Sequence, residues 1–250
     1  MSDPFAYLRG LTAARIGLGR TGVSLPTQRV LEFQMAHAQA RDAIHSALDV
    51  GKVAADLGRL APIFVSGRAA DRRAYLERPD DGRSLSDASR EKLAGRFDCA
   101  LVLGDGLSAR AVQQHGPPLA WALVEATPDW RWSPPVVATM ARVALGDDIA
   151  AAFGADLVVM LIGERPGLSS PDSIGAYITF APQPGVTRDA QRNCVSNIRP
   201  AGLPIVEAVR KIVAIVTLAR RLKQTGVALK EDDALALAAP ERRSIEGKKN

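Results

Sequence analysis

Residues 157–162, Leu-Val-Val-Met-Leu-Ile, form an apolar run with no polar face. A strand sends successive side chains to opposite faces, so this run predicts a strand covered on both sides, as in sheets with helices above and below. Residues 100–103, 135–143 and 176–180 read as further strands from their β-branched and aromatic content. Helical patterns fall between them, at 108–114, at 118–124 after Pro117-Pro118, and at 147–153. The last has Asp147 and Asp148 in its first turn, where negative charge suits the helix dipole, and Gly154 as its C-cap. Residues 204–223 carry Ile205, Val209, Ile212, Val213, Val216 and Leu222 along one side of a helix, with Pro204 at its first position and Gly226 near its end.

Strands alternating with helices imply right-handed crossovers and a parallel sheet. The expected fold class is therefore α/β: a Rossmann-like, mainly parallel sheet domain at 91–226, a helical N-terminal region at 1–90 and a polar C-terminal tail at 227–250. Within the N-terminal region, residues 27–48 predict a helix with Val30, Leu31, Met35, Ala38, Ala43 and Ile44 on its apolar side and Thr27, after Pro26, as its cap. Residues 84–93 predict a second, shorter helix, and an Arg-rich connector at 67–83 joins the two.

Charged residues make up 24% of the chain and the net charge is +5, but the arginines are scattered and aromatics reach only 5%. A nucleic-acid interface would cluster that charge and interleave aromatics, so no nucleic acid is expected. The two cysteines, Cys99 and Cys194, lack metal or redox spacing, which points to a reducing, cytoplasmic compartment. The first residues show no basic segment followed by an apolar run, and no stretch approaches the roughly 18–20 apolar residues that span a bilayer. Neither secretion nor a membrane is expected.

In open α/β sheets, ligands bind beyond the carboxyl ends of the strands. Three polar, Gly-containing loops fall there: Gly104-Asp105-Gly106-Leu107-Ser108, Gly163-Glu164-Arg165-Pro166-Gly167-Leu168, and a long loop at 182–200 with Arg188, Asp189, Arg192, Cys194, Ser196 and Asn197. Each alone is ordinary turn chemistry. Their convergence on one rim, with the carboxylates of Asp105 and Glu164, marks a binding site. Gly17-Leu18-Gly19-Arg20-Thr21-Gly22 matches the dinucleotide-binding pattern, but residues 11–16 make a poor strand before it and Pro26 interrupts the helix that should follow, so it reads as a turn. His37, His45 and His115 form no metal-ligand spacing, and no nucleophile elbow or P-loop occurs. No metal site and no catalytic residue are expected in the chain itself. It is either a binding protein or a subunit whose partner supplies the chemistry.

Those loops, with Gly19-Arg20-Thr21-Gly22, Tyr75-Leu76-Glu77-Arg78-Pro79-Asp80 and Arg192-Asn193-Cys194-Val195-Ser196-Asn197-Ile198, resemble in order and spacing the small (light) subunit of ethanolamine ammonia-lyase, from about residue 8 to about 224. The resemblance implies an enzyme that converts ethanolamine to acetaldehyde and ammonia by a radical mechanism, active only with a large, barrel-shaped subunit that supplies most of the contacts to ethanolamine, in a hetero-oligomer of several large–small pairs. It implies adenosylcobalamin as cofactor, held from its lower side by the small subunit, with Val143, Glu164 and Cys194 as contacts. Asp105 and Ser108 are added as further contacts from their place on the rim. No histidine sits in the pattern by which another cobalamin family donates a lower axial ligand, so the cofactor is expected to keep its own dimethylbenzimidazole there. The chain's start is shorter than in members with a leader, some of which enter a bacterial microcompartment; the expected location is cytoplasmic, with the microcompartment as the family's other address. The rival readings are an NAD(P)-binding oxidoreductase using residues 17–22 and a non-catalytic interaction module docking through residues 204–223.

Overall fold

A computed structural model of the chain describes residues 5–12 and 14–229. Its centre is a six-stranded sheet of β1 (Ile63–Ser66), β2 (Cys99–Gly104), β3 (Val136–Thr139), β4 (Leu157–Gly163), β5 (Ile174–Phe180) and β6 (Asn193–Ile198), in the order β1-β3-β2-β4-β5-β6. The helices among the described residues are α1 (Ala6–Leu11), α2 (Thr27–His45), α3 (Val50–Leu57), α4 (Arg72–Glu77), α5 (Asp87–Arg90), α6 (Ala109–Ala126), α7 (Leu145–Ala152) and α8 (Ile205–Leu222). None is long and apolar enough to cross a membrane.

Every residue of β2 and β4 is buried. Leu101, Leu103, Val159 and Leu161 join one core with α6 and α8; Ala100, Val102, Val158 and Met160 join a second core with α7 on the other face. Burying each large aliphatic side chain contributes about 1.5–3 kcal/mol, which is why an apolar run without a polar face settles in the middle layer.

The chain is α/β as expected, but the sheet is mixed. β1, β3, β2 and β4 are parallel, whereas β4–β5 and β5–β6 are antiparallel. The segment between β4 and β5 is ten residues without a helix. That is shorter than the dozen or more a parallel crossover needs, so β5 turns back on β4.

Other expectations also shift. The long loop at 182–200 contains β6, a strand whose Val195 and Ile198 are buried while Cys194, Ser196 and Asn197 face outward. The expected strand at 135–143 ends at Thr139, because Met140 adopts a left-handed φ of 53° and the Met140 and Ala141 amides donate to the Asp105 carboxylate. The two helices expected around Pro117 and Pro118 are one, α6; its Ala111, Val112, Leu119, Ala120 and Leu123 are all fully buried, and that packing outweighs the bonds two prolines remove. His115, which the sequence reads as a surface or capping residue rather than a ligand, is on the buried side of this helix.

β1 lies within the expected helical N-terminal region, yet pairs along its length with β3. α2 forms where expected but buries Ala36, Ala40 and Ala43, leaving Leu31 and Met35 outside, 58% and 62% exposed. Thr27 is its first helical residue rather than its cap; Pro26 holds the cap position. Pro204 likewise caps α8, and Gly154, with a φ of 55°, directly follows Phe153, which holds the C-cap position of α7 in its place. Around 17–22, Gly17, Gly19 and Gly22 have positive φ and no strand leads in among the described residues, so the segment is a turn before α2. The tail expected at 227–250 lies outside the described residues from 230 onward.

Candidate functional site

β3 lies on one side of β2 and β4 on the other, so the loops after these three strands face each other at one edge. They approach closely. Gly106 has a φ of 54°, and a Cβ on it would stand 2.2 Å from the Gly163 carbonyl oxygen. A Cβ on Gly163 would stand 2.3 Å from the Ser108 carbonyl. Only glycine permits this contact between the ends of β2 and β4.

Above it opens a cleft of about 450 Å³ with Tyr75, Arg142, Val143, Glu164, Arg165 and Tyr177 in its walls. A second hollow of about 190 Å³ shares Arg142 and Val143 and extends to Arg83 and Asp189. Val143 and Glu164, two of the residues carried over from the family resemblance, therefore face one cleft. Cys194 is the register partner of Tyr177 across β5 and β6 and interacts with its hydroxyl. It borders the site without lining it.

The Glu164 carboxylate accepts from the Ser173 hydroxyl at 2.6 Å and from the Asn197 amide at 3.1 Å, tying the end of β4 to β5 and β6. Asn197 turns back with a φ of 58°, which brings its amide to the carboxylate. A carboxylate has about four acceptor positions, so Glu164 retains capacity for further donors. Although Cys194 is an exposed residue, loss of solvent around its sulfur pushes the thiol up to about 11; the Tyr177 hydroxyl opposes this and the nearby Glu164 carboxylate adds to it. Burial likewise raises the Tyr177 phenol well above its ordinary range, with Cys194 and Glu164 adding to it. Both groups are neutral at physiological pH. Cys194 is not poised as a nucleophile or metal ligand, which requires the thiolate.

Asp105 and Ser108 lie beneath the cleft. Asp105 is 4% exposed, and its carboxylate accepts from the Met140 and Ala141 amides at 3.0 and 2.9 Å and pairs with Arg72 at 3.3 Å. Burial raises its pKa, opposed by the Ala141 amide and Arg72. Ser108 is fully buried, caps α6 through the Ala111 amide and donates to the Pro171 carbonyl at 3.0 Å. Both side chains hold the loops in place.

Tyr75, Arg142, Arg165 and Tyr177 also line the cleft; of these only Arg165 stands in a loop that the sequence marks as part of the site. Tyr75 is fully buried with its hydroxyl on the Ala141 carbonyl at 2.8 Å, and the guanidinium carbons of Arg72 and Arg142 lie 4.8 and 4.2 Å from its ring centre. Arg142 directly precedes Val143, and Tyr177 faces Cys194 only through the antiparallel register. None of the three histidines lines the cleft, and among the described residues no group of three or more His, Cys, Asp or Glu could hold a metal ion.

A family model described as "Ethanolamine ammonia-lyase light chain (EutC)" matches residues 2–230. A Bradyrhizobium diazoefficiens protein named ethanolamine ammonia-lyase small subunit is 52% identical over 249 residues, covering 94% of this chain and 95% of that protein. Proteins of the same name from Rhodopseudomonas palustris and Rhodococcus erythropolis are each 50% identical, over 94% and 92% of this chain and 93% and 90% of their own lengths. With similarity running the length of the sheet and through all three loops of its carboxyl edge, the chain belongs to the ethanolamine ammonia-lyase light-chain family.

Proposed function

We propose that this chain is the small subunit of an adenosylcobalamin-dependent ethanolamine ammonia-lyase, which with a large subunit converts ethanolamine to acetaldehyde and ammonia. Its own part is to hold the lower side of the corrin in the cleft at the carboxyl edge of β2, β3 and β4. The observation that carries this reading is the meeting of Val143 and Glu164 in one cleft, with Cys194 at its border against Tyr177. A corrinoid is larger than a hollow of about 450 Å³ can enclose, so one face of it seats here and the other is left to the partner. Exposed apolar residues on α1 and α2, among them Tyr7, Leu11, Phe33 and Met35, support a chain that works in an assembly.

The residues present fit the group. Glu164 has acceptor capacity for the amide N–H groups around a corrin. Val143 offers an apolar side chain and backbone polar atoms, and Cys194 packs as a neutral thiol. The chemistry that adenosylcobalamin supplies when bound is radical hydrogen abstraction after homolysis of its cobalt–carbon bond, while the protein orients and shields. The cleft lining includes no histidine, so no imidazole of this cleft would displace the dimethylbenzimidazole that the cofactor itself would bring. We read β1 to β4 as the Rossmann-like part of the cobalamin domain, α1 and α2 as the helical region before it, and the bacterial cytoplasm or a microcompartment as the location.

The test is an absorbance titration of the assembled large–small complex with cyanocobalamin, followed by an assay for ethanolamine-dependent acetaldehyde with the adenosyl form. Saturable binding and turnover support the reading. Quenching of NAD(P)H fluorescence without corrinoid binding would favour the oxidoreductase instead, and partner binding indifferent to cobalamin would favour an interaction module.

A further inference from the structure

Four buried side-chain nitrogens among the described residues have no hydrogen-bond partner: Arg72 Nη2, His115 Nε2, Arg142 Nε and Arg192 Nε. Three belong to groups engaged elsewhere. Arg72 pairs with Asp105, Arg192 with Asp147, and His115 interacts with Asp172. Arg142 differs. It lines the cleft and the adjoining hollow, and none of the described carboxylates forms an ion pair with it. Its guanidinium carbon lies over the Tyr75 ring, 4.2 Å from the ring centre, and its backbone amide is anchored on the Gly82 carbonyl at 2.8 Å. Its one side-chain hydrogen bond, from Nη2 to the Tyr75 carbonyl, is long at 3.4 Å.

A guanidinium held over an aromatic ring, with no counterion and only one long hydrogen bond on its outer nitrogens, has donors left for an anion. Orphaned buried donors in folded proteins call for such a reason. Arg165 lines the same cleft and Arg83 the adjoining hollow, against the carboxylates of Glu164 and Asp189. Glu164 is engaged by Ser173 and Asn197, and Asp189 lies 3.7 Å from Arg192. Arg165 and Arg83 match these two carboxylates in number, so the Arg142 charge is the one left without an opposite among the five. Within the corrinoid reading, on which this inference rests, the anionic group a cobalamin carries is the phosphodiester of its nucleotide tail; the corrin's side arms are neutral amides.

We propose that Arg142 is the phosphodiester subsite of this cleft, binding the nucleotide-tail phosphate while Glu164 and Val143 meet the corrin. Arg142 and Val143 also line the hollow that reaches Arg83 and Asp189, which would give the nucleotide tail room beside the phosphate.

The experiment is a cycle of binding constants measured on the large–small complex by absorbance titration. The ligands are cyanocobalamin, dicyanocobinamide, which lacks the phosphate, and cobinamide phosphate, which differs from cobinamide by the phosphate alone. The proteins are the native complex, Arg142→Gln and Arg142→Lys. Loss of a charge-assisted contact raises the dissociation constant about ten- to hundredfold. Arg142→Gln is expected to weaken cyanocobalamin and cobinamide phosphate by that factor and to leave cobinamide within about threefold; Arg142→Lys is expected to recover part of the loss. Native-like cobinamide binding by the variant also shows that it is folded. Equal weakening of all three ligands, or of none, overturns the subsite. Failure of the native complex to bind any of the three overturns the corrinoid reading itself.

Discussion

Replacing Arg192 with methionine leaves a carboxylate stranded in the protein interior. Arg192 and Asp147 are 2% and 1% exposed, joined by two bonds of 2.7 and 2.6 Å, with Thr179 Oγ1 accepting a third from Arg192 at 3.0 Å. Breaking a buried pair from one side costs about 3–5 kcal/mol, a large part of the roughly 5–15 kcal/mol that stabilises a typical domain. For a chain of this size, each kcal/mol shifts the melting temperature by about 2–4 °C, so Arg192→Met is expected to melt about 6–20 °C lower. Exchanging both partners, as Arg192→Met with Asp147→Leu, recovers most of that, because the penalty is the unpaired charge rather than the lost bond.

Burial already raises the Asp147 carboxyl, and Arg192 is the main influence that lowers it. Without Arg192 the folded pKa climbs further above its unfolded value. The variant's stability is then greatest at low pH and is lost as pH rises, so its deficit is smaller at pH 5 than at pH 8. Urea unfolding of the full chain at both pH values reads these quantities. A single variant within about 1 kcal/mol of native, or a double variant as unstable as the single, would refute the reasoning. The pair also bears on the site. Arg192 stands two residues before Cys194, and Asp147 four after Val143, so the bridge fastens the β5–β6 hairpin to the helix beside the cleft.

Glu164→Ala in the complex is expected to weaken cyanocobalamin by about 1–3 kcal/mol, read by absorbance titration; unchanged affinity would remove Glu164 from the site. With its thiol raised to about 11, Cys194 is expected to react with iodoacetamide about twentyfold more slowly at pH 8 than a free cysteine, after allowing for the greater nucleophilicity of a more basic thiolate. Rates matched to free cysteine, measured by mass spectrometry of the alkylated peptide, would contradict that environment. Gly163→Ala is expected to destabilise the chain by about 1–3 kcal/mol, because a methyl group there meets the Ser108 and Asp105 carbonyls; native stability in urea would show that the β2 and β4 ends can separate. Electron paramagnetic resonance of the cobalt(II) form with nitrogen-15-labelled protein is expected to show no protein nitrogen on cobalt; such coupling would mean that a side chain replaces the dimethylbenzimidazole.

The middle of the sheet is legible from residues alone because its physics is periodic. β2 and β4 are apolar on both faces and buried on both, and the apolar stripe of α8 faces the core. Local rules lose to tertiary packing elsewhere. β1 is four residues long beside an Arg-rich connector, and only its pairing with β3 makes it a strand. Two adjacent prolines read as a break, but the buried face of α6 carries the helix through them. The apolar residues of α2 look like a core stripe in the sequence, since periodicity does not say whether the covering surface belongs to the same chain. At the site, the loops after β2 and β4 are visible through their glycines and carboxylates. Tyr177 is not, because the antiparallel register that sets it against Cys194 follows from the shortness of the β4–β5 connection. Nor does a motif reveal that Asp105 turns inward to bind the amides after β3.

The claim beneath all of this is that the carboxyl edge of β2, β3 and β4 grips one face of a corrinoid. A cryo-electron microscopy map of the large–small complex with cyanocobalamin tests it most directly. The account predicts corrin density against Val143, Glu164 and Cys194, with the phosphate beside Arg142. Density seated on another surface of this chain, leaving the Tyr75–Tyr177 cleft filled only by solvent, would contradict it.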